Sequence, residues 1–226
     1  MRYIGFEGPI GVGKTTLVRA MEQRVNGRVI LEQADENPFL ERFYEDKERY
    51  AFQAQIFFLL SRYQQQREIL QGDLFSDFFL GDYVFSRDTI FARMTLSEDE
   101  LGLYSTIYNA LVEQIPKPDL VVYLRAQPET LMKRVRMRGK DYETAMTLDY
   151  LRELVGVYEE FFAHYDDTRL LVLDTDNLDY AAHPEQLEQV CDLILATLEQ
   201  TNQSAAGIPV SGDRIEGVVS TPPLDA

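Results

Sequence analysis

Cysteine occurs once and histidine twice in these 226 residues, which leaves little material for redox or metal chemistry. Cys191 falls in the helical pattern Leu187, Val190, Cys191, Ile194, Leu198, on the apolar face, and reads as buried filler. His164 and His183 are well separated and have no Cys or His partner at ligand spacing, so a histidine metal site is not expected. Positive charge is also scarce. Lys and Arg number 22 against 38 Asp and Glu, a net charge of −16. Long nucleic acids are bound through net positive surfaces, so they are disfavoured as partners. No apolar run approaches membrane-spanning length, and strand-like residues begin almost at once, leaving no room for a secretory or transit segment. The expectation is a cytoplasmic protein with no membrane partner and no internal repeat.

What is present is enough for one sizeable core, with 45% hydrophobic residues. Strand-like runs occur at Tyr3–Phe6, Arg28–Leu31, Tyr83–Ser86, Leu120–Leu124 and Leu170–Leu173. Helical patterns lie between them, at Thr15–Arg24, Tyr50–Leu70, Glu98–Glu113, Pro128–Met137, Leu148–His164 and Pro184–Glu199. Strand alternating with helix predicts an α/β fold, a parallel sheet covered by helices on both faces. From Thr201 to Ala226 the periodicity dissolves into Ser, Gly, Pro and small residues. The chain therefore reads as one domain over residues 1–200 with a disordered tail over 201–226.

The most specific feature is Gly8-Pro9-Ile10-Gly11-Val12-Gly13-Lys14-Thr15, which fits the phosphate-binding loop pattern G-x-x-x-x-G-K-[ST]. It sits between the first strand and the first helix, where that loop has to sit. Its glycines let the backbone curl so that successive N–H groups point inward, and the helix behind adds the positive end of its dipole. Gly8, Pro9, Ile10, Gly11, Val12, Gly13, Lys14, Thr15 and Thr16 are thus expected to hold ATP. Lys14 would reach the β- and γ-phosphates, and the Thr15 hydroxyl would help hold Mg²⁺.

Ligands in such folds bind at the carboxyl ends of the strands, which directs attention to Glu7, Glu32 and the Ser86–Asp88 region. Glu32 follows the apolar run Val29-Ile30-Leu31, so its carboxylate stands where a hydroxyl acceptor needs a group to take its proton. Asp35 and Glu36 compete for that role. A basic run then covers Arg125, Lys133, Arg134, Arg136, Arg138 and Lys140, with only Glu129 opposing it. Arg134 and Arg138 are one helical turn apart, so both can face the same phosphate oxygens.

Together these segments resemble the deoxynucleoside kinases over about residues 1–200, nearest the bacterial deoxyadenosine and deoxyguanosine kinase branch. The likeness is carried by the opening Glu7-Gly8-Pro9-Ile10-Gly11, by Glu32 followed by Asn37-Pro38-Phe39-Leu40 and Phe43-Tyr44, and by Ala51-Phe52-Gln53-Ala54-Gln55 running to Ser61-Arg62. Asp82-Tyr83, Phe91-Ala92, Pro116-Lys117-Pro118-Asp119 and the stretch Arg134 to Glu143 extend it.

The resemblance implies a P-loop kinase fold, an ATP-dependent 5′-kinase and a homodimer. It places Glu32 against the nucleoside 5′-hydroxyl, and Asp82, with Thr15, in the Mg²⁺ and acceptor environment. It makes Arg134, Arg138 and Lys140 lid cations over the transferring phosphate. Tyr44 and Glu143 match a pair that holds the sugar 3′-hydroxyl, Gln55 a reader of the base edge, Phe91 a stacking ring, and Arg62 an arginine near that edge. One departure stands out: many relatives place Arg directly after the acid, where this chain has Tyr83, and Arg87 is the nearest substitute.

The expected activity is phosphorylation of a purine deoxynucleoside, deoxyadenosine ahead of deoxyguanosine, with deoxycytidine also admissible. A nucleoside monophosphate kinase would share the fold but needs a further arginine clamp, which only Arg62 and Arg87 could supply. A non-catalytic nucleotide switch would not need a base or a basic lid, and the Asn-Lys-x-Asp motif of a GTP switch is absent.

Overall fold

The structure is a computed structural model that describes residues 2–70, 75–180, 182–204 and 214–217. Strand β1 (Arg2–Glu7) enters through Tyr3, Ile4 and Phe6, which are buried on both faces, as strands of a covered parallel sheet must be. After the glycine loop come α1 (Lys14–Arg24) and β2 (Gly27–Ile30). A 3₁₀ turn (Ala34–Glu36), α2 (Leu40–Glu45) and the long α3 (Lys47–Leu70) follow. Then come β3 (Phe78–Gly81), α4 (Arg87–Thr95), α5 (Glu98–Val112), β4 (Leu120–Arg125) and α6 (Pro128–Arg138). A second 3₁₀ turn (Asp141–Glu143), α7 (Leu148–Ala163), β5 (Leu170–Asp174), α8 (Pro184–Ser204) and β6 (Arg214–Gly217) complete the described chain.

All strand pairs are parallel, in the order β2-β3-β1-β4-β5-β6. The α/β architecture with helices on both faces is therefore as expected. The loop after β1 opens at the middle of the sheet, and the ends of β2 and β3 lie on one side of it, so all three deliver residues to one edge. The main core joins β1, β4 and β5 to α1, α6, α7 and α8, and Cys191 is buried within it. No described helix is long and apolar enough to cross a membrane.

Two expectations change. The third strand is Phe78–Gly81 and not Tyr83–Ser86, so Asp82 follows a strand instead of preceding one. Tyr83, Val84 and Phe85 are buried and apolar, which makes them resemble a strand. Their backbone has left the ladder, however: the Val84 N–H donates to the Glu7 side chain and the Arg87 N–H turns back to the Val84 carbonyl. At the other end, α8 runs past residue 201 to Ser204, and Arg214–Gly217 pairs with β5 as a sixth strand. The rest of the expected tail, residues 205–213 and 218–226, lies outside the described residues.

Candidate active site

Gly8, Gly11 and Gly13 take φ of +147°, +84° and +106°, which curls the loop ahead of α1. At Gly8 a Cβ would stand 2.2 Å from the Leu124 carbonyl oxygen, so only glycine fits there. The first turn of α1 carries no acidic residue, leaving its amide end free to face an anion. Lys14 folds over this loop, and its Nζ donates to the carbonyls of Gly8 (2.6 Å) and Pro9 (3.1 Å). Burial, then the neighbouring Arg87, lowers its pKa to about 8, against the pull of Glu7, Asp82 and Glu32.

Below the loop, the Thr15 hydroxyl donates to Asp82 Oδ2 at 2.9 Å, and Asp82 Oδ1 accepts the Glu32 N–H at 2.8 Å. Burial and the nearby Glu32 raise the Asp82 pKa. A hydroxyl and a carboxylate beside a phosphate loop are the hard oxygen donors that Mg²⁺ takes together with substrate phosphates. The donor set at Thr15 and Asp82 therefore fits the ion.

Glu32 is held from two sides. Arg62 pairs with its Oε1, and Arg87 Nη1 lies 2.7 Å from its Oε2. Burial would raise its pKa, but Arg62 and Arg87 outweigh that and push it down to about 2. Arg87 thus brings a guanidinium beside Glu32, where Tyr83 supplies none. Tyr83 is buried, donates to Gln65 Oε1 at 2.5 Å, and lies 5.4 Å beneath the Arg62 guanidinium. Arg62 also pairs with Asp88, whose pKa burial pushes up to about 6 against the effect of Arg62.

The other residues expected at the acceptor, Gln55, Phe91, Tyr44 and Glu143, line one cavity of about 1260 Å³. Gln55 is buried on α3, with its amide nitrogen 3.4 Å from the Thr95 hydroxyl. Phe91 presents its ring beneath Arg87, 5.1 Å from the guanidinium. Tyr44 packs edge-on against Phe43 and Tyr150, on the wall that also holds Glu143. Of the residues expected to hold ATP, Gly8 and Pro9 do not line this cavity; they open the loop, and their carbonyls hold Lys14.

The three cations expected to form a lid, Arg134, Arg138 and Lys140, do not share one target. Arg134 Nη2 donates to the carbonyls of Thr175 (2.6 Å) and Leu178 (2.9 Å), while its Nη1 reaches the Thr175 hydroxyl and the Val12 carbonyl. Arg138 instead pairs with Glu143. One helical turn places both on the cavity wall, but carbonyls at the end of β5 capture one head and a lid carboxylate the other. Lys140 bridges both oxygens of Asp35 at 2.9 and 2.7 Å.

Sequence reasoning missed several lining residues. The loop Asp176–Tyr180 after β5 stands over the phosphate loop, and Phe43, Phe58 and Tyr150 form apolar wall at the acceptor end. Position after a strand was the one available signal for the first, while nothing in the local pattern tells an aromatic that lines a cavity from one that packs in the core.

The deoxynucleoside kinase family model matches residues 4–199. The chain is 33% identical to a deoxyguanosine kinase of Bacillus subtilis over 83% of its length and 93% of the relative's. It is 30% identical to the deoxyadenosine/deoxycytidine kinase of the same organism, over 87% of this chain and 93% of that one. Among solved structures it is similar to deoxyadenosine kinase from M. mycoides with products dCMP and a flexible dCDP bound. That match has a TM-score of 0.74 and 25% identity, covering 88% of this chain and 99% of the other.

Proposed function

The chain belongs to the deoxynucleoside kinase family, and we propose that it transfers the γ-phosphoryl group of ATP to the 5′-hydroxyl of a purine deoxynucleoside, deoxyadenosine ahead of deoxyguanosine. The observation that carries this reading is the position of Glu32, whose carboxylate lies between Arg62 and Arg87 and whose backbone N–H is bonded to Asp82 at the foot of the loop. A hydroxyl entering from the apolar end of the cavity meets that carboxylate first. Lys14 exchanges its loop carbonyls for phosphate oxygens, and Arg138 and Lys140 face the group in transfer from the lid. Thr15 and Asp82 would hold Mg²⁺, which when bound neutralises charge on the phosphates.

A monophosphate acceptor fits less well. Its added negative charge would meet Glu32, and the two arginines nearest to it are already paired with Glu32 and Asp88. A purely regulatory nucleotide site has no use for a buried acceptor-end carboxylate.

The two Bacillus relatives differ in base, so the base preference rests on the site residues. A glutamine amide offers one acceptor and two donors, and Gln55 can pair with the amino group and adjacent ring nitrogen of adenine, or of cytosine. Guanine presents a carbonyl beside a ring N–H, which a carboxylate at this position would accept from. The test is a panel of nucleosides and monophosphates assayed with ATP and Mg²⁺, on wild type and Gln55→Glu. The wild type should phosphorylate deoxyadenosine with the highest kcat/KM, and the variant should shift toward deoxyguanosine. Phosphorylation of monophosphates alone would overturn the acceptor assignment. A deoxyguanosine preference unchanged in Gln55→Glu would remove Gln55 from base reading.

A further inference from the structure

Glu7 closes β1 one residue before the glycine loop and is fully buried, yet it does not line the cavity. Its carboxylate accepts from three separate parts of the fold. Oε2 takes the Gly8 N–H at 3.0 Å and the Tyr158 hydroxyl at 3.3 Å, and Oε1 takes the Val84 N–H at 2.8 Å. Burial raises its pKa, while Arg87 and Lys14 favour the ionised form. An ionisable group with no solvent contact is costly to bury, and a chain that needed only packing here would carry an apolar side chain.

The donors explain its presence. Gly8 opens the phosphate loop. Val84 begins the turn after β3, two residues beyond Asp82, and its carbonyl accepts the Arg87 N–H at 3.1 Å. The backbone ladder between β1 and β3 ends at Gly5 opposite Gly81. Beyond that point the chains diverge, one toward the donor phosphates and the other toward the acceptor, and the Glu7 side chain continues the join that the ladder has dropped. The two oxygens of one rigid carboxyl group set the spacing between the two amides.

We propose that Glu7 is a positioning residue for phosphoryl transfer: through Gly8 and Val84 it sets the spacing between the loop that holds the donor phosphates and the turn that carries Asp82 and Arg87. Its kinetic consequence rests on the kinase reading above, whereas its structural consequence does not. Transfer depends steeply on the mutual placement of donor and acceptor, so a small loss of register lowers turnover more than it lowers affinity.

The experiment compares Glu7→Gln, Glu7→Asp and Tyr158→Phe by steady-state kinetics and by amide hydrogen exchange. Glutamine keeps the shape but has one oxygen, so its amide nitrogen must confront a backbone N–H at Gly8 or Val84. Aspartate keeps the charge but is too short to serve both amides. Tyr158→Phe removes the third contact and leaves the join intact. For Glu7→Gln and Glu7→Asp we expect kcat to fall about tenfold or more, with nucleoside KM within about threefold, and faster exchange in both 8–13 and 82–88. Tyr158→Phe should leave turnover and both segments near wild type. Unchanged kcat in the Glu7 variants, or loosening confined to one segment, overturns the proposal. If Glu7→Gln does not fold, Glu7→Asp carries the same test. If the wild type phosphorylates no nucleoside, the kinase reading fails on its own, and joint or separate loosening of the two segments still decides the role of Glu7.

Discussion

Burial, then the cation Arg87, brings the Lys14 pKa down to about 8 against the pull of Glu7, Asp82 and Glu32, while its Nζ donates to the loop carbonyls of Gly8 and Pro9. Phosphate oxygens reverse that environment, so nucleotide binding raises the pKa again. Below about pH 7 the ammonium is protonated in both states and affinity is flat. As pH rises through about 8 the free protein loses the proton that the complex keeps, so affinity for ATP falls by up to about tenfold per pH unit, with proton uptake on binding. Calorimetric titration with a non-hydrolysable ATP analogue at pH 7 and pH 9, in two buffers of different ionisation heat, measures both; equal affinity and no proton uptake at pH 9 would contradict this account. Lys14 was legible because the loop motif specifies it by position. The surroundings of Glu32 were not: Arg62 and Arg87 come from α3 and α4, which approach β2 only in the folded sheet. Against burial, Arg62 and Arg87 hold the Glu32 carboxyl well below the usual carboxylate range, which favours its ionised form and weakens it as a base. On the proposed reading, such a carboxylate would orient the acceptor hydroxyl more than it removes the proton early, in keeping with a loose transition state.

At the scale of elements, strands buried on both faces were readable as continuous apolar runs, and β1, β4 and β5 appear where those runs lie, with the partly exposed β2 within a residue of its run. Strand β3 was misplaced because Tyr83–Phe85 is as apolar as a strand. Which backbone leaves the ladder depended on the distant Glu7 carboxylate, which no local pattern contains. Strand β6 was missed for the opposite reason, since Arg214-Ile215-Glu216-Gly217 holds one large apolar residue. It is held by β5 pairing, by Arg214 donating to the Phe162 carbonyl, and by the fit of Gly217. A Cβ at Gly217 would stand 2.3 Å from Leu173 Cδ2 and 2.9 Å from Leu193 Cδ2, so the strand lies directly on the core. Ending the chain after Ser204 strips this cover from Leu171, Leu173 and Leu193. We expect a loss of about 1–2 kcal/mol, seen as a Tm lower by roughly 2–8 °C, with kcat nearly unchanged because β6 lies at the sheet edge away from the cavity. An unchanged Tm in differential scanning calorimetry would show that β6 contributes nothing to stability.

Across the whole molecule, a net charge of −16 surrounds a cavity whose mouth carries Lys133, Arg134, Arg138 and Lys140, so attraction for a nucleotide is local to the lid. The basic run was legible, but the division of labour within it was not, because Arg134 and Lys140 are captured by distant partners, the Thr175 and Leu178 carbonyls and Asp35, while Arg138 turns to Glu143 five residues on. Lys140 is the telling case. It spans the cleft to Asp35, joining the lid to the segment after β2, and both partners are substantially exposed at 38% and 65%. An exposed pair of this kind is worth about 0–1 kcal/mol, too little to serve as a stabilising clasp but enough to compete with a phosphate for the ammonium. The two halves of the pair should therefore respond with opposite sign. Asp35→Asn removes the carboxylate that competes with phosphate for Lys140 and should lower the KM for ATP, by up to about fivefold, while Lys140→Ala removes the cation and should raise it by about tenfold. Neither should move the Tm by more than about 3 °C. Steady-state kinetics in varied ATP on the two single variants and the double variant measure the signs. An increase in KM of equal size in both single variants, not exceeded in the double variant, would mean that the bridge itself is what the reaction uses, and would take Lys140 away from the phosphates.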